Sequence, residues 1–201
     1  VRKTWNNINL SLVNNLSDAT LTRGGNFNTS VELTNFWELG GGVWTDFEVQ
    51  YDDRETRGGP LVTIPIGRSW WAWLCTDSRK WWQINPNLEG GDTKDGHYNY
   101  YGIYFSFQPT SNIEFNGQPA YMRSDGVTRW LTALTDENGN RTDEIFGEQK
   151  VRRFDMTLRG TWTFTKDLTL QIYAQPFMAA VDYNNFKKMI APDKFEYVDT
   201  S

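Results

Sequence analysis

The sequence predicts an all-β fold, an antiparallel up-and-down transmembrane β-barrel that is incomplete, with about nine strands visible. Three observations predict it. Between Val151 and Ala180 the chain writes one long hairpin, with Phe154, Met156, Leu158, Trp162 and Phe164 alternating with Arg153, Asp155, Thr157, Arg159, Thr161 and Thr163. Successive strand residues point to opposite faces, so one face is oily and the other wet. Each arm is long enough for a tilted membrane strand of about nine to eleven residues. The connections also alternate long and short, as outer loops and periplasmic turns do in such barrels. Finally, 15% of residues are aromatic although mean hydropathy is only −0.63. That combination suits strands in which every second residue meets lipid.

The strand-like runs fall at about 3–14, 25–36, 42–51, 68–77, 81–88, 97–108, 113–122, 151–165 and 168–180. In the first, Ile8, Leu10 and Leu12 oppose Asn7, Asn9 and Ser11. In the second, Phe27, Val31 and Leu33 oppose Asn28, Ser30 and Glu32. The third sets Val43, Phe47 and Val49 against Asp46, Glu48 and Gln50. The fourth, Trp70 to Cys75, is apolar on both faces, and the sixth sets Ile103, Phe105 and Phe107 against Tyr104, Ser106 and Gln108. The last two runs meet at the tight turn Thr165-Lys166-Asp167, after which Leu168, Leu170, Ile172 and Ala174 alternate with Thr169, Gln171 and Tyr173. Arg123–Lys150 reads as the longest loop; within it Val127–Thr135 extends a hairpin, and Asn138-Gly139 marks a tight turn. Phe186 and Ile190, four apart, suggest a short helix over Tyr183–Ile190. An odd strand count and the stop in an outer loop predict that residues 1–201 are part of one barrel domain, truncated at both ends.

Composition argues against several function classes. The net charge is −5 with scattered cations, so no nucleic-acid surface is expected. A single cysteine (Cys75) and a single histidine (His97) give no disulfide and no His-rich metal site, and no cofactor is expected.

Several segments resemble a bacterial family known mainly as a domain of unknown function. They are Thr56-Arg57-Gly58-Gly59-Pro60, Thr76-Asp77-Ser78-Arg79-Lys80, Asn35-Phe36-Trp37 with Gly40-Gly41-Gly42, Asp182 to Lys187 and, most specific, Trp162 to Phe177. The resemblance implies a C-terminal outer-membrane β-barrel that follows a family-9-type carbohydrate-binding module. It carries no catalytic residues over.

The candidate lumen-facing set is Glu32, Asp46, Glu48, Arg153, Asp155, Arg159 and Gln171; the net-positive group of Arg153, Asp155 and Arg159 is expected to pair with Glu32, Asp46 or Glu48. Arg57, Gly58 and Gly59 mark a candidate constriction loop, with Arg57 free to fold back onto a lumen carboxylate. Trp70, Trp81, Trp82, Tyr98, Tyr100 and Trp162 are the candidate interfacial aromatics. Asp52-Asp53 with Glu55 reads as a solvated loop rather than an acid pair, and Asp136 to Asn140 as a plain turn rather than a calcium loop.

The expected function is membrane anchoring, passage or surface display in the outer membrane of a Gram-negative bacterium, with the lipid bilayer as partner and a link to glycans through a separate module. No covalent chemistry is expected. The alternative is a soluble β-sandwich that binds carbohydrate through exposed Trp and Tyr; a glycoside-hydrolase association is the weakest reading.

Overall fold

The computed structural model describes residues 1–198. Its architecture follows from the alternating pattern: thirteen strands, all antiparallel, and no helix among the described residues. They are β1 (Lys3–Asn14), β2 (Thr20–Glu32), β3 (Glu38–Asp46), β4 (Gln50–Asp52), β5 (Val62–Ile64), β6 (Arg68–Cys75) and β7 (Trp82–Thr93). There follow β8 (Gly96–Thr110), β9 (Ile113–Thr135), β10 (Arg141–Thr165), β11 (Leu168–Ala174), β12 (Phe177–Ala191) and β13 (Lys194–Tyr197). One eleven-stranded sheet runs β1-β2-β3-β6-β7-β8-β9-β10-β12-β13, with β11 also on β10; β4 and β5 form a separate hairpin. The large sheet is a meander of sequence neighbours and is not closed into a barrel.

The long hairpin is present and longer than expected. β10 pairs with β11 from Leu158↔Ala174 downward and with β12 from Asp155↔Phe177 upward. β11 and β12 are thus one arm interrupted at Gln175-Pro176, where proline has no N–H for the ladder.

Two expectations are corrected. Tyr183–Ile190 is not a helix but the upper part of β12. Residues four apart share a face in a strand as well as in a helix, so Phe186 and Ile190 could not discriminate. The segment carries a bulge at Asn185, whose φ is 48°. The long outer connections are also mostly strand. Arg123–Lys150 becomes the upper ends of β9 and β10, joined only at 136–140, and β7 runs on to a two-residue turn at Lys94-Asp95 with φ of 44° and 70°. Val127–Thr135 does extend the hairpin, as part of β9; the other extensions were disguised by polar sequence, because ladder hydrogen bonds use the backbone and tolerate polar side chains on both faces. Among the described residues only 47–67 remains a long excursion, and Phe47 to Val49 interrupt the run expected over 42–51.

At the opposite end the turns are short and pinned by side chains. Phe36, at φ 65°, lies under the guanidiniums of Arg2 (4.0 Å to the ring centroid) and Arg79 (3.1 Å). Asp77 accepts from Arg79 Nε and Nη2, both at 2.8 Å, and from the Arg79 backbone N–H at 3.1 Å. The Arg79 fork holds the Asp77 carboxyl down at about 2. A depressed carboxylate stabilises the turn above its unfolded value of 3.8, and that contribution is lost as pH falls through about 2. Titration of the Asp77 carboxyl carbon by NMR should give a midpoint near 2; a midpoint near 3.8 would show that the fork is not made.

Candidate functional site

Strand register sorts the side chains into two faces. On one, Ile8, Phe27, Val43 and Trp70 stand in one row, and Ala72, Leu88, Tyr101, Tyr121, Phe154 and Met178 in another. Lower down come Ile84, Phe105 and Leu158, then Trp82, Phe107 and Phe115, then Trp162 and Leu170. Much of this face is open: Ile8 is 76% exposed, Leu10 77% and Met178 63%. The buried hydrophobic residues among those described are only Val62, Ala120, Val127 and Phe146.

The other face is polar and aromatic. One row reads Asn7, Asn28, Gly42, Trp71, Glu89, Tyr100, Met122 and Arg153. The next reads Trp5, Ser30, Gly40, Trp73, Asn87, Gly102, Ala120 and Asp155. The indoles crowd against glycines of the neighbouring strand. A Cβ at Gly42 would sit 2.4 Å from Trp71 Cζ2, and one at Gly40 would sit 2.5 Å from Trp73 Cζ2. Asparagines bridge adjacent strands, with Asn7 Nδ2 donating to Asn28 Oδ1 at 3.1 Å and Asn9 Nδ2 to Asn26 Oδ1 at 2.8 Å.

The sequence-derived candidates divide between these faces. Glu32, Arg153, Asp155, Arg159 and Gln171 share the polar face, but their expected cross-pairing is not made. Arg153 Nε pairs with Asp155 at 3.0 Å, Arg2 with Glu32, and Arg23 with Glu48 at 3.1 Å; Arg159 lies over the Tyr173 ring at 5.6 Å. β2 and β3 lie several strands from β10 in an open sheet, and each charge found a nearer partner. Asp46 accepts from Trp44 Nε1 at 2.7 Å and from the Gly67 N–H at 2.9 Å, closing the base of the long excursion. Glu48 lies outside the strands.

Among the aromatics, Trp70, Trp82 and Trp162 stand on the apolar face, and Trp162 stacks on Phe164 at 4.5 Å. Trp81 is exposed in its turn, 6.3 Å from Phe107. Tyr98 and Tyr100 are on the polar face instead, paired in register with Gly91 and Glu89; Tyr101 and Tyr121 hold the apolar side. In the run Tyr98 to Tyr101 every type is compatible with either face, so alternation alone could not set the phase.

The excursion at 47–67 is not a solvated loop. Its β4 lies against β2, the Thr63 N–H of β5 reaches the Pro192 carbonyl at 2.8 Å, and the connection between β4 and β5 is held from β9, β10 and the β7–β8 turn. Glu55 accepts from Lys94 Nζ at 2.5 Å, from Arg129 Nη1 at 3.1 Å and from the Trp130 N–H at 3.1 Å. Lys94 also bonds Asp52 at 2.8 Å. Burial alone would raise the Asp52 carboxyl; the Lys94 bond and the N–H groups of Arg54 and Glu55 outweigh it and hold the value low. Thr56 is fully buried, and Arg141 Nη1 reaches its carbonyl at 2.9 Å while also pairing with Glu144. Arg57 does not reach a lumen carboxylate. Its guanidinium lies 5.4 Å from the Trp130 ring centroid, and its φ of 51° with Gly58 at 95° turns the chain. A Cβ on Gly59 would meet Arg141 and Glu144 at 2.6 Å. The partners Lys94, Arg129, Trp130 and Arg141 were missed by sequence reasoning, because they lie 39 to 85 positions from their contacts in residues read as loop. Asp136 to Asn140 is a plain turn, with Asp136 Oδ1 accepting from the N–H groups of Asn138 and Asn140. Among the described residues no group of three or more His, Cys, Asp or Glu is placed to hold a metal ion.

The family model described as a domain of unknown function (DUF5916) matches residues 2–196. No curated protein and no solved structure matches the chain.

Proposed function

Because the chain belongs to the DUF5916 family, which carries no assigned activity, its role must come from its own surfaces, and we propose that it forms the wall of an outer-membrane β-barrel. The carrying observation is the apolar face, exposed on strands of up to 25 residues with almost no buried hydrophobic core behind it. In water that exposure would be costly over so large an area. In hydrocarbon it is the favourable state.

The dimensions support this reading. Outward-facing charge on β10 begins at Arg152, which pairs with Asp125 at 2.8 Å, and the lower limit is the Trp162–Phe164 stack. Those rows are ten residues apart, about 33 Å along a strand, and a tilt of about 40° makes this about 25 Å of height, the size of a barrel's apolar band. Trp70, Tyr101 and Tyr121 stand near the upper limit, and Trp82 and Trp162 near the lower, as interfacial aromatics do. The polar face then becomes the lumen, and the β4–β5 hairpin sits at its upper opening. Anchoring, passage or display at the cell surface of a Gram-negative bacterium fits such a wall. In lipid, both open sheet edges need a strand partner, so the full-length protein is the object to test.

The full-length protein is expected in the outer-membrane fraction, to need detergent for monodispersity, and to run with heat-modifiable mobility on denaturing gels. Monodisperse behaviour in plain buffer, with partition away from membranes, would sink the proposal.

A further inference from the structure

We propose that the polar face carries a binding site for neutral oligosaccharides, in the cleft of ≈ 350 Å³ bounded by Trp5, Asn7, Asn28, Glu38, Trp71 and Trp73. The inference deepens the reading above by giving the lumen a ligand class. It stands directly on the geometry of this face.

A sugar ring has an apolar C–H face and a rim of hydroxyls, so its site needs a flat apolar surface beside hydrogen-bonding groups. The cleft supplies both. Trp5 and Trp73 stand three strands apart in one register row, with the small residues Ser30 and Gly40 between them. Trp71 and Trp73 are two residues apart on β6, about 7 Å, and each indole packs against a glycine of β3 that leaves it room. This pairing of tryptophan with glycine occurs twice in adjacent rows, which extends the apolar surface along the strand and suits a chain of sugars better than a single one.

The polar partners favour uncharged ligands. Asn7 Nδ2 donates to Asn28 Oδ1 and Asn28 Nδ2 to Asn26 Oδ1, both at 3.1 Å, and each amide can make four bonds, so Asn7 and Asn28 both keep capacity for a ligand. Amides both donate and accept, as hydroxyls require. Glu38 pairs with no cation among the described residues, and Glu89 stands opposite Trp71 in register. Glu38 can accept from hydroxyls, and both carboxylates repel anions.

The test uses the full-length protein in a zwitterionic detergent without a sugar headgroup, which would otherwise compete. Tryptophan fluorescence is titrated with maltohexaose, cellohexaose and the anionic hexagalacturonate. Saturable binding of a neutral hexamer is expected. Trp73→Ala should weaken it about tenfold or more. Trp73→Phe should recover most of that loss, and Trp70→Ala, on the opposite face, should leave binding unchanged. The inference is overturned if neither neutral hexamer binds to protein whose mobility is heat-modifiable, if hexagalacturonate binds better, or if Trp70→Ala weakens binding as much as Trp73→Ala. Loss of heat-modifiable mobility alone counts against the barrel. Binding that still depends on Trp73 in such a sample supports the site on its own.

Discussion

Leu158→Arg is expected to impair membrane assembly of the full-length protein, while Thr157→Arg beside it is tolerated. The two positions are neighbours on β10 and point to opposite faces, with Leu158 opposite Gly117 and Ala174 and Thr157 opposite Gln118. Leu158 lies between the Arg152 and Trp162 rows that bound the apolar belt, close to its middle. An arginine there faces hydrocarbon, at a cost of about 2–4 kcal/mol near the bilayer midplane. The same side chain at 157 enters the polar row that already holds Arg153, Asp155 and Arg159 and stays solvated. Folding into vesicles of outer-membrane lipid composition, followed by heat-modifiable mobility and urea titration, measures the difference. Equal losses at both positions would show that the two faces see the same solvent, contrary to the wall proposed above.

The same alternation explains how far the fold was legible. β1 around Ile8, Leu10 and Leu12, and the lower parts of β10 and β11, alternate apolar with polar residues and were legible as strands. Where the belt ends, that signal ends too. β9 and β10 continue through Arg123 to Lys150, where Val127–Thr135 was legible as a hairpin extension but the remaining, mostly polar residues do not alternate, and such sequence does not separate a ladder from a loop. Proline and glycine did punctuate correctly where the backbone needed them, as at Gly139 with φ 84° in the turn between β9 and β10. The lumen set was legible by face but not by partner. Arg153 and Asp155 stand two apart on one strand and pair at 3.0 Å, so Arg153 meets an acid on its own strand rather than on β2 or β3, although its Nε and Asp155 Oδ2 make no hydrogen bond. The indole platform was half visible: Trp70 to Trp73 was apolar on both faces, and only the opposing Gly40 and Gly42 show that two of those rings lie on the polar side. The β4–β5 hairpin was the least legible part, because its stability rests on contacts with distant strands.

That hairpin carries the second large effect. Glu55→Ala is expected to release the segment 50–62 from the upper opening without dissolving the sheet. The Glu55 side chain is 10% exposed and Lys94 14%, so this is a largely desolvated pair, fixed also by Arg129 and the Trp130 N–H. Removing one member strands the others, and breaking buried pairs costs about 3–5 kcal/mol. The loss should fall at the low end, because Lys94 keeps its bond to Asp52 at 2.8 Å. Glu55→Gln should be milder, since an amide oxygen still accepts from Trp130. Other contacts flank the cluster: Arg141 grips the Thr56 and Arg57 carbonyls, Asn15 Nδ2 donates to Asp53 at 3.1 Å, Gln50 Nε2 reaches the Arg23 carbonyl at 3.4 Å where β4 lies against β2, and the Thr63 N–H reaches Pro192 at 2.8 Å. Limited trypsinolysis reports the release, because Arg54 is already 92% exposed by its side chain and cleavage needs only local opening of the backbone. Faster cutting after Arg54 and Arg57, with heat-modifiable mobility retained, is the expected result. Unchanged cutting would mean that the Lys94–Glu55–Arg129 cluster does not hold the hairpin in place, and the grip would pass to Arg141.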